Sequence, residues 1–265
     1  MQFSELIQAV RATSDALIIP SSWAQGRASF GGLVVALAYE AMCKLVPANR
    51  PLRSLAITFV GPVAPEQPVR FEAKVLREGR AVSQLICQGI QDGQVVTMLQ
   101  GSFGAGRESN IRVDAEPAPA YKSAAQCQEL PYLPGITPEF TQQIAMRWAV
   151  GGMPFSNNPS REMGGWVRMR EQNQSEALSE AHLLALVDAW PPAILPHLSK
   201  PAMGSSLTWT IEFIQPRVAL DASAWCQYRA QIEQSSAGYG HIAAQLWSTT
   251  GELLAISRQT VAVFG

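Results

Sequence analysis

Asp188 is the one carboxylate in the apolar run from Leu183 to Leu195, within Leu186-Val187-Asp188-Ala189-Trp190-Pro191-Pro192. Burying a carboxylate without partners costs several kcal/mol, so such a residue is normally paired or functional. Desolvation raises its pKa and makes it a better general base near neutral pH. The competing reading is a helix-end aspartate facing solvent. Downstream lies Ser206-Leu207-Thr208-Trp209-Thr210-Ile211-Glu212-Phe213. A strand period of two puts Ser206, Thr208, Thr210 and Glu212 on one face, and Leu207, Trp209, Ile211 and Phe213 on the other. A hydroxyl of the first set is either a water-binding group or part of the wetter side of a half-buried sheet. Gln259, on the last predicted strand, carries both a donor and an acceptor and can orient a water together with its target; it reads equally as a surface glutamine.

The elements that must position these residues occur twice. Residues 54–62 (Ser-Leu-Ala-Ile-Thr-Phe-Val-Gly-Pro) and 208–216 (Thr-Trp-Thr-Ile-Glu-Phe-Ile-Gln-Pro) are alternating strands ending in Phe-x-x-Pro, 154 residues apart. An internal repeat bears on the fold before any single element does. In the first copy, Ser29-Phe30-Gly31-Gly32 opens an apolar helix from Leu33 to Leu45, and a helix lacking a polar face is a buried one. Strands are predicted at 53–60, 68–77, 80–90 and 94–104, with turn signals at Glu78-Gly79-Arg80 and Asp92-Gly93. In the second copy a strand at 164–170 precedes helix formers from Ser175 to Trp190, with Ser175 or Ser179 as N-cap. Strands follow at 205–214, 223–234, 238–249 and 252–264. Each half is therefore one apolar helix and an antiparallel meander. A helix covers one face of such a sheet, and joining two sheets edge to edge removes two free edges. The predicted class is α+β, two tandem hotdog units: 1–107 the N-terminal unit, 108–135 a Pro-rich linker, 136–265 the C-terminal unit.

Composition narrows the function. A formal net charge of −1 leaves no electrostatic footprint for nucleic acid. No apolar run reaches the ~18 residues of a membrane span, and the first residues lack a basic signal region. The four cysteines form no Cys-x-x-Cys pair and suggest reduced thiols in a cytoplasm. Three histidines argue against a histidine metal site, and no metal or cofactor is expected. There is no Gly-x-Ser-x-Gly elbow, no P-loop and no complete dinucleotide fingerprint.

The chain resembles the type II acyl-CoA thioesterase family (TesB-like), built as a double hotdog. The resemblance rests on Phe30-Gly31-Gly32, Phe59-x-x-Pro62, Leu76-Arg77-Glu78-Gly79-Arg80 followed by Asp92-Gly93, Gly164-Gly165-Trp166-Val167-Arg168, Asp188-Ala189-Trp190-Pro191-Pro192, the 206–216 strand, and Gln259. It implies hydrolysis of an acyl-CoA to free acid and CoA, with Asp188 as general base on a water held by Ser206 and Gln259. Where one branch of the family carries Asp-His, this chain has Thr208-Trp209, which keeps Thr208 as a rival hydroxyl. A backbone N–H near Gly31-Gly32 is the expected donor to the thioester oxygen. A cytoplasmic homodimer or higher homo-oligomer is expected. The alternatives are a non-catalytic acyl-CoA binding protein on the same fold and a hotdog enoyl-CoA hydratase, for which the Asp-x₄-His spacing is missing.

Overall fold

A computed structural model describes residues 1–171 and 176–264. Three α-helices, α1 (Phe3–Ala12), α2 (Gly31–Cys43) and α3 (Glu180–Asp188), lie against ten long strands. In chain order these are β1 (Leu52–Phe59), β2 (Pro68–Glu78), β3 (Val82–Gln91), β4 (Gln94–Gly104), β5 (Ile144–Val150), β6 (Glu162–Met169), β7 (Met203–Phe213), β8 (Cys226–Ser236), β9 (Tyr239–Trp247) and β10 (Leu253–Phe264). With two short edge strands, Leu17–Ile18 and Gln128–Glu129, they make one antiparallel sheet. Its order is Leu17–Ile18, β2, β3, β4, β1, β7, β10, β9, β8, β6, β5, Gln128–Glu129.

The two halves meet at β1 and β7, which are the two copies of the repeated segment. They pair antiparallel, with Thr208 opposite Thr58 and Glu212 opposite Ser54. Ala56 and Thr210, equivalent under the 154-residue shift, face each other directly. A pseudo-twofold axis therefore passes through that pair, and each half supplies the neighbour that the other half's edge lacks.

The long strands follow the alternation in the sequence. Along β3 every second residue is buried, and the hairpin to β4 turns through Asp92 and Gly93, both at positive φ (50° and 73°). Two consecutive positive φ values are what an Asp-Gly type I′ turn requires. Helix α2 is buried from Gly32 to Met42. At ~1.5–3 kcal/mol for each large apolar side chain, this is a main source of core stability. Its one charged side chain, Glu40, is 3% exposed and takes a bidentate ion pair from Arg11 of α1 at 2.7 and 2.9 Å. That pair docks α1 on α2 and compensates a charge too costly to bury alone.

Helix α3 is shorter than the pattern from Ser175 suggested. Ser179 is its N-cap: its N–H donates to His182 Nδ1 at 3.2 Å and its hydroxyl lies 2.7 Å from the same atom. Ser175 lies outside the described residues. Burial pushes His182 down to about 4, assisted by Arg217 and Arg11, so the imidazole is neutral near pH 7. The strand at 144–150 has no counterpart in the sequence reading. Ile144, Ala145 and Met146 are buried in succession, so the alternation that marks a half-buried strand is missing. Within the Pro-rich segment, Gln128–Glu129 pairs with β5 at the sheet edge. No described helix is long and apolar enough to cross a membrane.

Candidate active site

Helices α2 and α3 pack antiparallel under the centre of the sheet. At one end Tyr39 Oη donates to Glu180 Oε2 at 3.4 Å. At the other, the last residue of α3, Asp188, meets the first turn of α2. That turn is fixed from outside: a hairpin pairs Ala24–Gln25 with Ala28–Ser29, Ser29 N–H donates to the Val63 carbonyl at 2.7 Å, and Phe30 N–H donates to the Trp23 carbonyl at 2.8 Å.

The carboxylate is bound by two neutral donors. Gln259 Nε2 donates to Asp188 Oδ1 at 2.7 Å, and the backbone N–H of Gly32 donates to the same carboxylate. A Cβ on Gly31 would stand 2.9 Å from Asp188 Oδ2 and 3.2 Å from a ring carbon of Phe59; one on Gly32 would stand 3.0 Å from Asp188 Cβ and 2.6 Å from the Phe30 ring. Two glycines are thus what lets the carboxylate reach the helix terminus. Burial pushes Asp188 up to about 7, and the Gln259 and Gly32 hydrogen bonds act against the shift. Its own helix's C-terminus disfavours the negative charge and the α2 N-terminus favours it. The residue as a whole is of intermediate exposure, while its carboxyl group is buried and desolvated.

Gln259 belongs to β10 opposite Trp209 of β7. Trp209 is fully buried and its indole N–H donates to Ser257 Oγ at 2.8 Å, which locks the two strands together beside the site. The register shifts between Ser206 and Thr208: Ser206 pairs with Val261, whereas Thr208 pairs with Thr260. Directly opposed residues share a face. Val261 is fully buried, so Ser206 lies on the helix side with Gln259. Thr208 lies on the other, exposed face. This corrects the uniform alternation expected from Ser206 to Phe213: a bulge adds one residue and reverses the phase upstream of it. Ser206 is the diagonal neighbour of Gln259, ~7–8 Å away between Cα atoms, a spacing that long side chains or one water can bridge.

Of the expected residues, Asp188 and Gln259 are in direct contact, Ser206 shares their face, and Thr208 is turned away. Gly31 and Gly32 open α2 as expected, but Gly32 gives its N–H to Asp188 and is not free for a thioester oxygen. Aromatic side chains flank the carboxylate. Phe59 and Phe30 lie on the α2 side, the latter stacked on Phe140 at 4.1 Å. Trp190 and Tyr228 lie on the α3 side. In the sequence Phe59 stood out through the repeat and the family resemblance but not as a site residue, and nothing singled out Tyr228, which stands in an ordinary alternating strand.

Two family models match this chain: "Acyl-CoA thioesterase N-terminal domain" over residues 19–104 and "Acyl-CoA thioesterase C-terminal domain" over residues 124–263. Among curated relatives, acyl-CoA thioesterase 2 of Haemophilus influenzae is 23% identical over 251 residues, covering 88% of this chain and 86% of that protein. A hot dog protein of unknown function from Alicyclobacillus acidocaldarius superposes with a TM-score of 0.81 at 22% identity, covering 97% of this chain and 98% of the other. The tesB protein of Mycobacterium avium subspecies paratuberculosis does so with a TM-score of 0.79 at 17% identity over the whole of both chains. These structural likenesses bear on the fold, which is the double hotdog.

Proposed function

Since the chain belongs to the acyl-CoA thioesterase family, whose reaction is thioester hydrolysis, we propose that Asp188 is its general base. The observation that carries this reading is a carboxylate held by Gln259 and Gly32 alone among the described residues, with no cation beside it, and pushed by burial up to about 7. At neutral pH such a group is both substantially ionised and basic enough to take a proton from water.

Gln259 and Ser206 hold the water on the helix side of the sheet. Its oxygen attacks the thioester carbon while its proton passes to Asp188. Negative charge grows on the carbonyl oxygen, and the Gly31 N–H, in the first turn of α2 where helix donors have no intrahelical partner, stabilises it. Collapse of the tetrahedral intermediate breaks the C–S bond and expels the CoA thiolate, which takes the proton from Asp188. The products are the free acid and CoA, and Asp188 is returned ionised. The reading also takes the units as 1–107 and 136–265 joined by 108–135, and the enzyme as a cytoplasmic homo-oligomer.

Free-thiol release from a panel of acyl-CoA thioesters tests this. Asp188→Asn should lose about 10²–10⁴-fold in kcat/KM with the fold intact by circular dichroism. Undiminished release by that variant would overturn the mechanism. Acyl-CoA binding without release across the panel would favour a binding protein, and hydration of an enoyl-CoA without thiol release would favour a hydratase.

A further inference from the structure

Two residues past Asp188 the chain turns Trp190 onto the inner face of the second half-sheet. The residue is 5% exposed. The ring stacks on Tyr228 of β8 with centroids 5.0 Å apart and planes at 7°, and meets Trp148 of β5 at 4.6 Å and 49°. Tyr228 is 6% exposed. Its phenol is pushed up by burial and, second, by the negative charge of Asp188, and the chain itself ties the stack to the site, since Trp190 follows Asp188 by two residues. The indole N–H groups of Trp190 and Trp148 are buried and have no hydrogen-bond partner among the described residues. Ring packing, with no bond to those N–H groups, therefore holds Trp190 in place.

An acyl chain that ran from a thioester carbon at Asp188 along the inner face of this half-sheet would meet that stack. Protein interiors are packed as densely as organic crystals, so three contacting rings leave no lane for a long alkyl chain. We propose that Trp190 is a specificity-determining residue: its ring, braced by Tyr228 and Trp148, closes the acyl pocket and restricts the enzyme to short-chain acyl-CoA substrates. This inference rests on the thioesterase reading above. Truncating the ring leaves an apolar cavity continuous with the site, of the kind that an apolar ligand fills.

The test is a chain-length ladder of acetyl-, butyryl-, octanoyl- and palmitoyl-CoA. For the unmodified protein, kcat/KM for butyryl-CoA should exceed that for octanoyl-CoA by about 100-fold, since a pocket discriminates ~10–200-fold on one methylene. In Trp190→Ala, and in the milder Trp190→Leu, the octanoyl-to-butyryl ratio should rise by about tenfold or more. The same ladder is run as thermal protection of the Asp188→Asn protein, which reads pocket depth without turnover. Absence of thiol release from every thioester sinks the hydrolysis reading, and protection then decides the pocket's depth. Palmitoyl-CoA turned over or protecting as well as butyryl-CoA overturns the proposal. So does an unchanged ratio in a folded Trp190 variant.

Discussion

Three carboxylates sit in the helix pair, and the surroundings of two of them, Glu40 and Asp188, separate their roles. Glu40 is buried against the Arg11 guanidinium, an ion pair that fixes α1 on α2. Asp188 has neutral amide donors only. Its ionised form is therefore under-compensated, and that has two measurable consequences. As the proposed base, it must lose its proton before it can accept one from water, so kcat/KM should rise with pH through about 7 and then level off. A profile flat from pH 5 to 9 would remove Asp188 from the chemistry. The second consequence concerns stability. With the folded carboxyl at about 7 and its ordinary value at 3.8, the unfolded chain binds fewer protons between those values. Stability from this group is full below about 4 and is lost as pH rises through about 7. Asp188→Asn should accordingly melt higher than the parent at pH 8, by the equivalent of a few kcal/mol, and the gain should shrink toward pH 4. A variant that is less stable than the parent at pH 8 would mean the carboxylate is a net structural asset.

The deciding feature at the level of the element is the bulge in β7. It carries Ser206 to the side of Gln259 and leaves Thr208 on the outer face. Ser206→Ala should lower kcat, whereas Thr208→Ala, on an exposed position, should leave kcat/KM within about twofold and stability within about 0.5 kcal/mol. Equal losses in the two variants, measured by thiol release, would show that the hydroxyl's face is irrelevant. The bulge explains what the sequence did and did not disclose. Strand positions and the helix pair were readable because alternation and apolar density are local signals. Asp188 and Gln259 were readable as types, and the family resemblance joined them. The face of Ser206 was not, because a period of two continues across a bulge on paper. The missing clue was in the other copy. β1 carries a register shift between Leu52 and Ser54, and its fully buried residues Leu52 and Leu55 are three apart. Under the 154-residue shift these match Ser206 and Trp209, so comparing the copies would have placed Ser206 inward.

The same comparison, extended to the whole molecule, shows why only one end of the helix pair carries this polar pair. In the first half Leu52 occupies the place of Ser206. Gly101, opposite Leu55, occupies that of Gln259, and Met42 fills the room a side chain there would need, its Cε 2.7 Å from where a Cβ would stand. Aligned by their first residues, the helices put Asp188 opposite Tyr39, not opposite Val34 as an ungapped shift has it. Tyr39 approaches the start of α3 as Asp188 approaches the start of α2. The first half thus has packing where the second has this polar pair, yet it contributes Gly31, Gly32 and Phe59 to the candidate site of the second. Neither half should therefore work alone. Residues 136–265, produced separately, lack the helix terminus that binds Asp188, and they expose the β7 edge that β1 covers, a template for aggregation. They should release no thiol, and mixing them with residues 1–135 should restore release in a concentration-dependent way. The intact chain should unfold in one calorimetric transition, because the β1–β7 ladder and the α2–α3 contact tie the halves into one cooperative unit. An active isolated second half, or two separated transitions in the full chain, would mean that each hotdog unit folds and functions independently of its twin.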